Sequence, residues 1–133
     1  MCYKIDMNKK TVLAISLVII AIIGLLIYAS KKDNQPGVYD TFASCVAESG
    51  AKFYGAFWCP NCQNQKKMFG SSAKLLPYVE CSTADGRSQT PQCTELGIEG
   101  YPTWRFADGN EVVGVIGLEA ISTATSCPLP ITE

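Results

Sequence analysis

Histidine is absent from this chain of 133 residues, and its absence excludes several kinds of catalytic site. A Ser-His-Asp triad and a Cys-His pair both need an imidazole as general base. Zinc sites that use histidine ligands are excluded for the same reason. Proton transfer must therefore use carboxyl, amino, phenol or thiol groups, or water.

Runs of charge are absent as well. From residue 36 onward the chain has six basic and ten acidic side chains, without a basic patch interleaved with aromatic residues. Nucleic-acid-binding domains usually carry such a patch, so we expect no nucleic-acid partner. The sequence shows no internal repeat and no low-complexity tract. Its length allows one small domain and an accessory segment.

The accessory segment is a long apolar run. Residues 11–30 contain no charged side chain, and a pair of lysines flanks each end. A helix that rises ~1.5 Å per residue would make this run about 30 Å long, the thickness of a bilayer core. The alternative is a cleaved signal peptide, whose apolar core is usually only about 7–15 residues long. We predict a retained transmembrane helix at 11–30, an N-terminus at 1–10 and a polar linker at 31–37.

Cysteine usage indicates on which side of the membrane the domain lies. Of seven cysteines, only Cys2 precedes the apolar run. Six cysteines in one small domain are typical of an oxidising compartment. Lysine is slightly more frequent before the run than directly after it, which favours a cytoplasmic N-terminus. Both arguments predict a single-pass protein of the cell membrane with residues 38–133 on the extracytoplasmic side.

Periodicity and turn residues divide residues 38–133 into helices and strands. The predicted helices cover 39–48, 59–69, 91–96 and 118–125, and the predicted strands cover 51–57, 77–81, 103–106 and 111–116. Asp108-Gly109 is a strong hairpin signal between the last two strands. The order α-β-α-β-α-β-β-α predicts an α/β domain with a four-stranded mixed sheet flanked by helices.

Cys59 and Cys62 form a Cys-x-x-Cys motif at the start of a predicted helix, directly after Trp58. Unpaired N–H groups and the positive end of the helix dipole favour a thiolate at Cys59, the form that attacks disulfides. Pro60 suits the first helical turn because it has no N–H to leave unpaired. Cys62 is one turn further on and is the natural resolving thiol. This pattern predicts catalytic thiol–disulfide exchange by Cys59 and Cys62, with no metal and no cofactor.

The motif has two other interpretations. Cys-x-x-Cys is also half of a structural zinc site, but Cys81 and Cys93 do not supply a second half at matching spacing. The two cysteines could instead form a purely structural disulfide in a non-catalytic binding or assembly module. The lysines that follow, Lys66 and Lys67, are interpreted as a solvated face of the helix.

In its context the motif resembles the thioredoxin superfamily. A strand, the Trp-Cys-x-x-Cys segment and a helix are followed by residues 97–103, which are similar to the cis-proline loop of that family. The resemblance implies a thioredoxin-like fold, a cis bond at Pro102 facing the dithiol, and a backbone at Tyr101 that pairs with substrate. The expected substrate groove consists of Trp58, Pro60, Tyr101 and Pro102.

One branch of the superfamily is more similar than the rest. Residues 53–62, 65–70, 77–81 and 101–104 resemble the thioredoxin-like domain found fused to, or alongside, bacterial and plant homologues of vitamin K epoxide reductase. There the membrane homologue passes electrons from the dithiol to a quinone, and the dithiol oxidises cysteines of exported proteins. This chain has one apolar run and no quinone-binding four-helix bundle. Its oxidant is therefore expected to be a separate membrane protein similar to vitamin K epoxide reductase.

The direction of electron flow follows from a departure from thioredoxin. Thioredoxins keep a buried acid beneath the dithiol, and that position is Phe53 here. Without this proton relay, fast reduction is disfavoured, which favours oxidation of exported proteins. The alternative is a membrane-tethered reductase or isomerase, and the redox potential distinguishes the two.

The remaining cysteines of the domain are expected to form structural disulfides. The resembled branch bridges the pair that corresponds to Cys81 and Cys93, and closing this loop contributes roughly 3 kcal/mol. Elimination then joins Cys45, on the first predicted helix, to Cys127, after the last. Free thiols, or an intermolecular bond for Cys45 and Cys127, are the alternatives.

Overall fold

The structure is a computed structural model that describes residues 8–32 and 36–131, and it divides into two units between residues 35 and 36. The first unit contains helix α1 (Lys9–Lys32). This helix is long and apolar enough to cross a membrane, and its side chains are exposed from residue 9 to residue 28. These properties suit a membrane anchor and a signal sequence alike. The predicted run at 11–30 lies within α1, whereas residues 1–7 and 33–35 of the predicted terminus and linker lie outside the described residues.

The second unit alternates helices and strands. In chain order it contains α2 (Asp40–Glu48), β1 (Lys52–Gly55), α3 (Pro60–Phe69), a 3-10 helix (Gly70–Leu75), β2 (Tyr78–Glu80), α4 (Pro91–Glu95), β3 (Thr103–Arg105), β4 (Glu111–Val113) and α5 (Leu118–Thr125). The four strands form one sheet in the order β2-β1-β3-β4. β1 pairs with β2 in parallel, and the other two pairings are antiparallel. The predicted α/β fold with a four-stranded mixed sheet flanked by helices is confirmed.

Strand β1 has both faces covered because its side chains alternate. Phe53 enters the larger core, which also contains residues of α2, α3, β3 and α5, and it stacks on Trp104 with ring centroids 4.8 Å apart. Tyr54 enters a smaller cluster with Cys81, Cys93 and Ile98. Burying each large apolar side chain contributes about 2–3 kcal/mol. The strand that leads into Cys-x-x-Cys is therefore fixed from both sides.

The first strand is shorter than predicted. β1 ends at Gly55 rather than at residue 57, because the chain turns sharply before α3. The N–H of Cys59 donates to the carbonyl of Ala56 at 3.0 Å and closes this turn. The turn brings Trp58 to the surface, where its side chain is 52% exposed.

The last strand is also shorter than predicted. β4 ends at Val113, and Gly114 follows with φ of 108°, in the left-handed region that favours glycine. Ile116 pairs with the side chain of Gln65 on α3 instead of with a neighbouring strand. The side chain of Gln65 thus makes the two hydrogen bonds that a neighbouring strand would otherwise make with Ile116.

Candidate active site

Cys59 is the N-cap residue of α3, and Pro60 occupies the first helical turn. The backbone of Cys59 is extended, with φ of −75° and ψ of 119°, which points its side chain back over the helix N-terminus. The N–H of Cys62 donates to Cys59 Sγ at 3.4 Å. An anion at this sulfur would therefore face an N–H dipole and the positive end of the helix.

The two thiols differ in access to solvent. Cys59 is 6% exposed and Cys62 is fully buried, and both are free thiols in this structure. A disulfide of another protein can reach only Cys59 first. This asymmetry gives each cysteine a separate place in the predicted exchange: Cys59 outside and Cys62 beneath it.

The loop before β3 lies against the exposed thiol. The peptide bond between Tyr101 and Pro102 is cis, and Pro102 is buried. The thiol of Cys59 donates to the carbonyl of Tyr101 at 3.7 Å. The carbonyl of Pro102 accepts from the N–H of Gly114 at 2.7 Å, which ties the loop to the end of β4. The structure thus brings Cys59, Tyr101 and Pro102 together.

Trp58 forms one wall of a cleft beside the dithiol. Its indole N–H donates to Ser82 Oγ at 2.9 Å, and its ring meets Tyr101 edge to face with centroids 6.2 Å apart. Gln89 donates to the hydroxyl of Tyr101 at 2.6 Å and holds the opposite wall. The cleft has a volume of about 170 Å³. Its lining residues are Trp58, Ser82, Gly86, Arg87, Ser88, Gln89 and Tyr101.

The loop at 82–90 connects a predicted strand to a predicted helix, and no part in this cleft is assigned to it from the sequence. It turns at Gly86, where φ is 72°, and the Asp85 carboxylate accepts from the hydroxyl of Thr83 at 2.6 Å. That hydrogen bond and the N–H of Arg87 hold the pKa of Asp85 below its ordinary value. Cys81 and Cys93, which bracket the loop, are the sequence feature that could have indicated its position. A disulfide between them holds both ends of the loop and limits where it can lie.

The thiol of Cys62 lies in a tight pocket beneath Cys59. A Cβ at Gly55 would be 2.8 Å from Cys62 Sγ and 2.9 Å from a ring carbon of Tyr78. Only glycine therefore leaves room for the thiol at this point of β1. Burial raises the pKa of Cys62 to about 12, and the hydrogen bond with Cys59 acts in the same direction.

Tyr78 and Glu80 form the side of this pocket on β2. The hydroxyl of Tyr78 donates to the Glu80 carboxylate at 2.8 Å. Burial is the main reason why the pKa of Tyr78 is raised, and this hydrogen bond adds to the effect. The same carboxylate accepts from the N–H of Phe57 at 3.2 Å and of Ser82 at 2.9 Å. Glu80 thereby ties the segment before Cys-x-x-Cys to the end of β2.

Lys66 differs from its neighbour Lys67. Lys67 is exposed, as predicted for a solvated helix face, but Lys66 is half-buried and its Nζ lies 3.3 Å from the centre of the Tyr78 ring. Lys66 is four residues after Cys62, so both side chains lie on one face of α3. The sequence-based interpretation of Lys66 as part of a solvated face is wrong for this reason.

Two disulfides connect the other four cysteines of the domain. Cys45 on α2 is bonded to Cys127 after α5, and Cys81 after β2 is bonded to Cys93 on α4. The second bond consumes the thiols that a zinc site with Cys-x-x-Cys would need. Neither bond involves Cys59 or Cys62.

No protein-family profile matches the chain. Part of it is 49% identical over 63 residues to the thiol-disulfide oxidoreductase LTO1 of Arabidopsis thaliana. The match covers 44% of this chain and 17% of that protein's length, so the chain spans about a sixth of this relative. The similarity and the geometry around Cys59 together support a redox role for a thioredoxin-like domain.

Proposed function

We propose that this protein is a thiol–disulfide oxidoreductase in which Cys59 exchanges with substrate and Cys62 is the resolving thiol. The observation that carries the proposal is the position of Cys59 Sγ: at a helix N-terminus, against the carbonyl of Tyr101, and above the buried thiol of Cys62. The likeness to a thiol-disulfide oxidoreductase supports the same reaction class.

In the oxidising direction, a client thiolate attacks Cys59 Sγ of the Cys59–Cys62 disulfide. A bond forms between the client sulfur and Cys59, the bond between Cys59 and Cys62 breaks, and Cys62 leaves with the electron pair and takes a proton. A second client thiolate then attacks the client sulfur of the mixed disulfide and displaces Cys59 as thiolate. The client gains a disulfide, and the enzyme is left as a dithiol.

A trapping experiment tests the exchange. In a Cys62→Ser variant, Cys59 can form a mixed disulfide but Cys62 can no longer resolve it. We expect client proteins to accumulate on this variant as complexes that dissociate under reducing conditions. A Cys59→Ser variant is the matched control and should trap none. Equal trapping by both variants, or by neither, would contradict the proposed exchange and favour a non-catalytic module.

We propose oxidation of exported proteins as the direction of the reaction, with a separate quinone-linked membrane protein similar to vitamin K epoxide reductase as the oxidant. The resemblance to that branch supports this partner, and buried Phe53 at the thioredoxin acid position supports the direction. The redox potential tests it: we expect a value near about −120 mV, whereas a reductase would be near about −270 mV.

We propose that α1 anchors the protein, with the domain on the extracytoplasmic side of the cell membrane. The disulfides Cys45–Cys127 and Cys81–Cys93 support an oxidising compartment. Protease added outside sealed cells should degrade the domain and leave α1 in the membrane fraction. A protected domain would contradict this orientation, and a soluble mature protein would indicate a cleaved signal peptide.

A further inference from the structure

Lys66 is a half-buried cation on α3, one helical turn beyond Cys62. Its Nζ lies 3.3 Å from the centroid of the Tyr78 ring, a contact distance for a cation–π interaction. Tyr78 is itself fixed, because its hydroxyl donates to Glu80 and its ring meets Phe53 edge to face with centroids 5.2 Å apart. The ammonium group therefore packs against a ring that is itself fixed by two contacts.

The same ring lies beside the buried thiol. Cys62 Sγ and a ring carbon of Tyr78 both approach the position of a Gly55 Cβ to within 3 Å, at 2.8 and 2.9 Å. Lys66 reaches this place from α3, one turn beyond Cys62. One cation, one aromatic platform and one buried thiol thus form a cluster that α3, β1 and β2 assemble.

Thiol–disulfide exchange places negative charge on Cys62 in either direction. Cys62 leaves as thiolate when a client attacks Cys59, and it must become a thiolate to resolve a mixed disulfide. A buried thiolate without a nearby cation is costly to form. Burial raises the pKa of Cys62, and the charge of Lys66 acts in the opposite direction with a smaller effect.

We propose that Lys66, held by the Tyr78 ring, is the fixed cation that stabilises the thiolate of Cys62 during exchange. Lys66 and Tyr78 are positioning residues in this scheme, because they act through Cys62 rather than on the client. The proposal rests on the exchange reaction proposed above. The ionisable groups around Cys62 are Cys59 and Lys66 from α3 and Tyr78 from β2, with Glu80 reached through the Tyr78 hydroxyl.

The test measures ionisation of Cys62 separately from turnover. In the full-length protein carrying Cys59→Ser, the rate of iodoacetamide alkylation at Cys62 is followed against pH by mass spectrometry of the peptide that contains it. Adding Lys66→Met should slow alkylation about threefold near pH 8, since loss of thiolate is partly offset by higher nucleophilicity. The pH profile should move toward higher pH.

Matched variants separate charge from structure. Lys67→Met removes an exposed lysine from the same helix and should leave the profile unchanged, and Lys66→Arg should restore it by keeping the charge. Tyr78→Phe keeps the aromatic ring under Lys66 and should leave the alkylation rate unchanged. Tyr78→Leu removes the ring and should slow alkylation as Lys66→Met does. The proposal is overturned if Lys66→Met and Lys67→Met give the same profile, or if Lys66→Arg is as slow as Lys66→Met.

These outcomes are independent of trapping by Cys62→Ser. A normal alkylation profile in Lys66→Met with successful trapping would reject the role of Lys66 and leave the exchange reaction standing. A shifted profile without trapped clients would reject the exchange reaction and leave the electrostatic coupling in place.

Discussion

At the scale of residues, Gly55 and Cys62 decide how tightly the dithiol is enclosed. Cys62 Sγ occupies the space that any side chain at residue 55 would need. The thiol of Cys62 is therefore enclosed, and another protein can approach it only by way of Cys59.

Gly55→Ala should lower the free energy of unfolding by about 1–3 kcal/mol, because its Cβ would overpack a site bounded by Cys62 and Tyr78. Denaturant unfolding measures the loss. Gly117→Ala is the control, since its Cβ would approach only the flexible end of Glu119, at 3.2 Å. A loss at Gly55 no larger than at Gly117 would contradict the close packing.

In a protein that keeps Cys62 as a free thiol but lacks Cys59, the free energy of unfolding should fall as the pH becomes alkaline. Burial raises the pKa of Cys62 to about 12 from an ordinary value near 9, so the unfolded chain loses the proton first as pH rises. The stabilisation is therefore complete below about pH 9 and is lost between about pH 9 and 12. From pH 8 to 10, Cys59→Ala should lose about 1.4 kcal/mol more than Cys59→Ala/Cys62→Ala in denaturant unfolding. Parallel pH profiles for the two variants would contradict the raised pKa.

At the scale of elements, Gln65 fastens α3 to the segment after β4. Its amide donates to the carbonyl of Ile116 at 3.1 Å and accepts from the N–H of Ile116 at 2.9 Å, and the side chain is fully buried. This pairing satisfies both backbone groups of Ile116, which lies three residues beyond the end of β4. It also links the helix of the dithiol to the segment that leads into α5.

Gln65→Met should lower the free energy of unfolding by about 1–3 kcal/mol, because it leaves the N–H and carbonyl of Ile116 without their partners. Hydrogen exchange at Ile116 should accelerate at the same time. Asn64→Met changes the exposed neighbouring position and should affect neither quantity. Unchanged exchange at Ile116 in Gln65→Met would show that another group protects this amide.

At the scale of the whole domain, two disulfides close loops of very different length. Cys45–Cys127 spans 82 positions and joins α2 to the segment after α5, whereas Cys81–Cys93 spans 12 positions. A longer loop loses more unfolded-state entropy when it is closed. The first bond acts on the entire domain and the second on the loop beside the dithiol.

Cys45→Ala/Cys127→Ala should therefore lower the free energy of unfolding more than Cys81→Ala/Cys93→Ala, by about 4.5 against about 3 kcal/mol. Denaturant unfolding of both double variants checks the order. The shorter pair should have the greater effect on exchange with protein clients, because its loop lines the cleft at Trp58. The reverse order of stabilities would show that local packing outweighs loop length.

The order of elements could be predicted from local patterns, because hydrophobic alternation, Pro60 at a helix start and Asp108-Gly109 at a hairpin are encoded within a few residues. The ends of β1 and β4 could not, because they depend on a turn at Ala56 and on the distant side chain of Gln65. The same holds for the site. Cys59 and Cys62 are apparent from their spacing, whereas the cleft at 82–90 arises from contacts between separate segments.

The sequence by itself determined the α/β element order, the apolar run of α1 and the Cys-x-x-Cys segment at a helix start, since each is a short-range property of the chain. Only the tertiary structure decided that Lys66 lies over Tyr78 while Lys67 faces solvent. Helical spacing puts Lys66 on the same face as Cys62, but it does not say which side chain covers that face. The difference arises because β2 places an aromatic ring against one face of α3, a contact that exists only once the sheet has formed.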